Sequence, residues 1–402
     1  MALADVPAIL ILVGVAAYIV FAGADFGAGL WYLLAGPGRR GRPIRDFTYH
    51  AMAAVWEANH VWLVFILVVT WTAYPTAFGS IMSTLAVPMF IAAIGIIMRG
   101  TAYALRSGAP PDRETEGVTG FVFGASSVLT PFALGAAIGG IASGRVPVGN
   151  AKGDLITSWL NPISITIGVL AVATSGYLAA VYLAGDAARA GERELTRAFH
   201  MRALAMGAIS GVLAVVGLIV LRSDARRLFD HLTSGAGLVC VIVSAVAGIA
   251  TLALVQTRRY EPARVSGAAA VAAIIAGWGI AQRPFLLPPR LTVHAAAAGH
   301  STLVALLISI AAGLVILIPS LVLLYGLVLR GRFDEAAPTV VEHHVPRGAP
   351  RPGLAGVAIA LLLVGSALTF LAEGVLLAIG VVLLGAFVVT GVVELLRPEA
   401  LE

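Results

Sequence analysis

Asp25 and Glu57 are the two residues of this chain whose type and setting could do chemistry. Asp25 falls inside the apolar run from Ile9 to Leu34, and Glu57 opens the apolar run that follows. A charged side chain near the middle of a membrane helix costs roughly 2.5–3.5 kcal/mol on insertion scales. Chains keep such groups where they line a pathway, pair inside a bundle or carry protons. Glu57 belongs to the polar cluster Trp56-Glu-Ala-Asn-His-Val-Trp62, in which Glu57 and His60 are three apart and share a helical face, while Asn59 and Trp62 share another. A Glu and a His on one face could ligate a metal or haem, although two ligands alone make a weak site. His60 reads better as a hydrogen-bonded partner of Glu57. Arg99, a basic residue inside an expected span, is a counter-charge for either acid, so a proton route and a locked ion pair both remain open.

Asp25 also sits between Gly23 and Gly27, a small-xxx-small pair that lets another helix approach closely. Two residues from each glycine is about 200° around a helix, so the acid and the glycines should face different neighbours. The other histidines, His50, His200, His231, His294, His300, His343 and His344, fall at expected helix ends or in loops. No glycine-rich phosphate loop, Cys-x-x-Cys or Ser/His/Asp pattern occurs at useful spacing, so no metal site and no covalent chemistry is expected of the chain itself. The single cysteine, Cys240, excludes an internal disulfide and reads as a packing residue.

The elements that must position these groups are membrane helices. The 402 residues are 59% hydrophobic and 12% charged, and the mean hydropathy is +0.95, which sets the chain apart from soluble domains. Nine helices are expected at about 7–35, 50–74, 77–106, 117–143, 160–185, 200–221, 233–257, 264–281 and 301–330. Asn161 followed by Pro162 marks the start of the fifth. Residues 1–330 then form a nine-helix body and 331–353 a proline-rich loop. Residues 354–402 form an additional hairpin and tail, with a break at Ala372-Glu373-Gly374. The first apolar run is too long for a signal peptide and lacks a positive flank, so it reads as a retained helix.

A sequence pI near 9.6 would suggest nucleic acid as a partner of a soluble protein. Here the basic residues flank apolar runs, so the partner is the lipid bilayer and not nucleic acid. Basic residues in and beside the odd-numbered loops number 17 against 7 for the even-numbered ones, which places the odd loops in the cytoplasm and the N-terminus outside. Asp25 would then lie about 27 Å along a helix entering from outside, at 1.5 Å per residue. Glu57 would lie two turns into a helix starting inside. Both acids fall toward the cytoplasmic half, as a proton entry route requires.

With these residues in hand, the chain resembles subunit II of the cytochrome bd quinol oxidases. The resemblance rests on Gly-Ala-Asp-Phe-Gly-Ala-Gly at 23–29, Trp-Glu-Ala-Asn-His-Val-Trp-Leu at 56–63 and Met-Arg-Gly-Thr-Ala-Tyr at 98–103. It continues through Asn161-Pro162, Trp278-Gly-Ile-Ala-Gln-Arg-Pro-Phe285 and Leu317-Ile-Pro-Ser-Leu-Val-Leu-Leu-Tyr325, in order over about residues 7–330. The resemblance implies a non-haem subunit of a terminal oxidase of the bacterial plasma membrane. Its partner, subunit I, would carry haems of the b and d types, and the complex would oxidise quinol and reduce dioxygen to water with cytoplasmic protons. It also implies that Asp25 and Glu57 contribute to proton delivery; from their positions, His60 and Asn59 would orient the relay and Arg99 would be the counter-charge. Four positions depart from the family pattern. Ala22 and Ala104 stand where further acids are common, Ala58 replaces a usual glycine, and Glu57 stands for a usual aspartate. The C-terminal hairpin lies outside the resemblance and would cover a lipid-facing surface or hold a small accessory subunit. Two readings compete with the oxidase proton route: a proton-coupled secondary transporter, for which no internal repeat is visible, and a purely structural subunit with both acids locked in ion pairs.

Overall fold

The computed structural model describes residues 2–36, 38–53, 56–108, 113–329 and 354–371, with short stretches between 375 and 390. It is an all-α membrane bundle. Among the described residues, eight helices are long and apolar enough to cross a bilayer, and a bent pair can be counted as a ninth. The eight are α1 (Asp5–Leu34), α5 (Ala86–Gly108), α6 (Arg113–Ala142), α7 (Pro162–Arg189), α8 (Arg193–Asp224), α10 (Gly235–Gln256), α11 (Tyr260–Gln282) and α13 (His300–Leu329). Between them lie α2 (Arg42–Ala53), α3 (Trp56–Ala73), α4 (Pro75–Thr84), α9 (Arg226–Leu232) and the short α12 (Val293–Ala296). A small antiparallel pair, β1 (Phe285–Leu287) with β2 (Leu291–Thr292), follows α11.

Local chemistry explains where the observed helices differ from the expected ones. The start of α7 is as expected: Asn161 Oδ1 accepts the Ser164 N–H at 3.1 Å, and Pro162 takes the first helical position, where no donor is needed. The expected helix at 77–106 is instead two helices, broken at Leu85. Pro88 has no N–H to return to the Thr84 carbonyl, which accepts the Ser158 hydroxyl at 3.3 Å instead. Pro131 is carried inside α6 without ending it. The expected helix at 50–74 is the bent pair, with α2 and α3 inclined by 56°. The α2 segment is amphipathic, and Ile44, Phe47 and Ala51 lay one face against the core. Helix α8 starts seven residues before its expected position because Leu195 and Phe199 extend its buried face.

The bundle is organised around α1, which packs against α7, α6, α3, α2 and α11. The approach to α7 is closest at Gly27, where an added Cβ would overlap the Ser175 carbonyl. A Cβ added at Gly23, one turn away, would sit 3.5 Å from the Ser175 hydroxyl, an ordinary contact. The Trp31 indole donates to the Gly176 carbonyl at 2.8 Å on the same seam. Away from this centre, α8, α10 and α13 display Val212, Ile219, Ile249 and Val315 on outer faces, which is the surface a lipid-embedded bundle presents. The Trp278–Phe285 motif ends α11 and turns the chain into β1, where the Gln282 amide donates to the Leu286 carbonyl at 3.1 Å.

The chain divides into two compact units, Met1–Glu335 and Ala336–Glu402. In the second, α14 (Leu354–Leu371) places Gly365 close to the Gly380 carbonyl and Leu384. The proline-rich loop expected at 331–353 and the break expected at 372–374 lie outside the described residues.

Candidate functional site

Asp25 is completely buried on α1, and so is Arg99 on α5. Helix α6 packs against both and helps frame the space that the guanidinium crosses. Arg99 Nη2 meets Asp25 Oδ1 at 2.6 Å and also donates to the Asp25 main-chain oxygen at 2.9 Å, while Nη1 donates to the Ser127 hydroxyl on α6. Tyr103, one turn after Arg99, donates its hydroxyl to Asp25 Oδ1 at 3.3 Å. The guanidinium carbon lies 4.3 Å from the centre of the Phe123 ring and 5.3 Å from that of Phe26, so aromatic faces take up part of its charge. Gly29, one turn after Asp25, makes room for this arrangement: an added Cβ would overlap the Ser127 side chain and crowd Arg99.

Two buried charges at this separation are retained only if each is well satisfied, because desolvation of each ion costs several kcal/mol. Oδ1 of Asp25 is satisfied twice. Oδ2 is buried without a hydrogen-bond partner, as is Arg99 Nε. The site is therefore saturated on one carboxylate oxygen and open on the other.

Glu57 lies elsewhere than expected. It is the second residue of α3, in the first turn, and its side chain is exposed on the chain. It forms no ion pair among the described residues, and Arg99 is committed to Asp25. An acid in the first turn of a helix is in the favourable place for its charge. The expected link between Glu57 and His60 is absent among the described residues. His60 Nδ1 instead meets the Trp56 carbonyl at 2.8 Å, the i−4 oxygen that a helix offers to such a ring. Asn59 is buried and donates to the Phe21 carbonyl at 3.3 Å, which ties α3 to the turn of α1 that precedes Asp25. Rings surround His60: Phe26 at 5.9 Å, Trp56 at 6.0 Å and Tyr18 at 6.1 Å between centroids. Trp56 in turn stacks on Tyr103 at 5.1 Å.

The structure thus brings Asp25, Arg99, Asn59 and His60 around one stretch of α1 and leaves Glu57 at its edge. Sequence reasoning missed Ser127, Phe123 and Tyr18. Tyr18 and Asp25 are seven apart on one helix and so share a face, a signal the sequence did carry. The contacts of Ser127 and Phe123 are tertiary and have no sequence signature. No group of three or more His, Cys, Asp or Glu able to hold a metal occurs among the described residues.

Comparison with known proteins places this geometry in context. Residues 3–328 match the sequence model of the family described as cytochrome bd terminal oxidase subunit II. The chain is 25% identical over 328 residues to a protein of Bacillus subtilis (strain 168) named as a putative cytochrome bd menaquinol oxidase subunit II, covering 78% of this chain and 92% of that one. A chain in the structure of the bd oxidase from Geobacillus thermodenitrificans superposes with a TM-score of 0.65 at 26% identity, covering 81% of this chain and 98% of that chain.

Proposed function

The chain belongs to the cytochrome bd terminal oxidase subunit II family, and on that premise we propose that it is the non-haem subunit of a quinol-oxidising, dioxygen-reducing complex and supplies a proton route to it. Its partner is the haem-bearing subunit I, with haems of the b and d types, and quinol is the reductant. The relative's name points to menaquinol as one such reductant. The redox chemistry belongs to the partner; this chain binds, braces and conducts.

The observation that carries the proton reading is the half-satisfied carboxylate. Asp25 Oδ1 is held by Arg99 and Tyr103, while Oδ2 is buried and unpartnered. A carboxylate held this way has one oxygen committed to Arg99 and Tyr103 and a second oxygen at which a proton can bind. Glu57, exposed in the first turn of α3, is the group that can exchange protons with an aqueous or partner surface. By the distribution of basic residues this end is cytoplasmic. The route therefore runs from Glu57 inward to Asp25, with Asn59 fixing the two helices.

A second reading, a purely structural subunit, draws on the same ion pair, because a pair this buried can be a brace. The assignment as a non-haem subunit is tested by a reduced-minus-oxidised absorbance spectrum of this chain purified alone and of the native complex. Haem bands in the complex only are expected; haem bands in the isolated chain would overturn it.

A further inference from the structure

Away from the buried site, the end of α7 and the start of α11 border a cleft of about 430 Å³, lined by Gly185, Arg189, Arg258, Arg259, Tyr260 and Glu261 among others. Its charges fall into two groups. Arg189 pairs with Asp186 and Glu261, while Arg264 pairs with Asp186 and lies 4.0 Å from Glu261. Two arginines and two carboxylates make this network neutral, and Arg264 also donates to the Tyr182 carbonyl at 2.6 Å. Arg258 and Arg259, in the turn between α10 and α11, enter no ion pair and no side-chain hydrogen bond among the described residues. Both are exposed, so the cleft carries two uncompensated positive charges.

The turn that bears them is well fixed. The Arg258 and Arg259 N–H groups close onto the Val255 and Leu254 carbonyls at 2.8 Å each. Arg258 takes a left-handed conformation, φ 61°, that glycine adopts more easily. Each guanidinium offers a planar fork of donors, which matches the oxygens of a phosphate. One turn into α11 the surface becomes apolar. Pro262, Val265, Ala269, Ala272, Ala276 and Ile280 recur at three- and four-residue spacing and are all exposed. They form one lane on the lipid side of the helix, and it starts at the cleft. This end of the bundle is the one that the basic-residue count assigns to the cytoplasm.

We propose that the cleft binds an anionic phospholipid, with Arg258 and Arg259 holding the headgroup phosphate and an acyl chain lying along the exposed lane of α11. Basic recesses between membrane helices on the cytoplasmic side suit such headgroups. A free phosphate would use the arginines alone, whereas the apolar lane leading away from them fits a lipid. Glu261 lines the same cleft, but its charge is taken up by Arg189, so it does not repel the phosphate. The site is separate from the Asp25 neighbourhood and does not depend on the proton route.

The test uses the intact complex in nonionic detergent and phosphatidylglycerol with a photoreactive group on one acyl chain. After irradiation, the labelled residues are located by peptide mass spectrometry. Label is expected on α11 between Val265 and Ile280, suppressed by excess unlabelled phosphatidylglycerol and not by phosphatidylcholine. The double variant Arg258→Gln, Arg259→Gln should lose it by at least about tenfold, from the attraction two arginines supply. Arg222→Gln, which removes an exposed charge at the other end of α8, should leave it unchanged. Haem content checks assembly, and the single variants serve if the double variant fails to assemble. Parental labelling of α11 in the arginine variants, equal suppression by phosphatidylcholine, or no label on α11 would overturn the proposal. Suppression by inorganic phosphate as strong as by phosphatidylglycerol would make the occupant a free anion and overturn the lipid assignment.

Discussion

At the scale of single residues, the energetics of the site turn on the ion pair between Asp25 and Arg99. Both side chains are completely buried, so removing one partner strands a charge. Arg99→Leu should destabilise the protein by about 3–5 kcal/mol, and the double variant Asp25→Leu, Arg99→Leu should recover much of that loss because no unpaired charge remains. Thermal unfolding of the purified complex in detergent checks this, and equal losses in the single and double variants would contradict it. The partnership was legible in the sequence, since Arg99 lay inside a span at the inner end. Which acid it serves was not, because Ser127, Phe123 and Tyr103 decide that by tertiary contact. Glu57 was placed two turns too deep because the apolar pattern runs on through 50–74, whereas the chain bends there and α3 begins at Trp56.

At the scale of elements, the site depends on how closely α1 can approach its neighbours. Gly27 meets the Ser175 carbonyl of α7, and Asp25 faces α5, as the 200° offset between them required. Gly27→Ala should separate the two helices and lower the yield of folded complex, at an overpacking cost of about 1–3 kcal/mol. Gly23→Ala, with 3.5 Å of clearance, should be tolerated, and equal yields of the two variants would count against this packing. Helix existence was readable almost throughout from apolar run length, and so was the Asn161-Pro162 start. The break at Leu85 was less readable, because Pro88 sits in the first turn of a new helix and could equally have been carried inside one, as Pro131 is.

At the scale of the whole molecule, the family match ends at residue 328 and the second compact unit begins at Ala336. The oxidase reading therefore concerns the body alone. Within it, the exposed acid of α3 and the buried acid of α1 lie on adjacent helices, with His60 and Asn59 on the helix that carries Glu57. The basic-residue count led to the expectation that both acids lie toward the cytoplasmic half, but sequence could not show that one carboxylate oxygen of Asp25 is hydrogen-bonded twice and the other has no partner. The proposed proton route rests on that asymmetry. The measurement that bears on it most directly is quinol-oxidase turnover of the intact complex carrying Glu57→Gln, alone and combined with Asp25→Asn, with haem content read on the same sample. Turnover lowered at least about tenfold with haem unchanged is the expected result; parental turnover and pH dependence in the double variant would contradict the proton route and leave the ion pair as structure only.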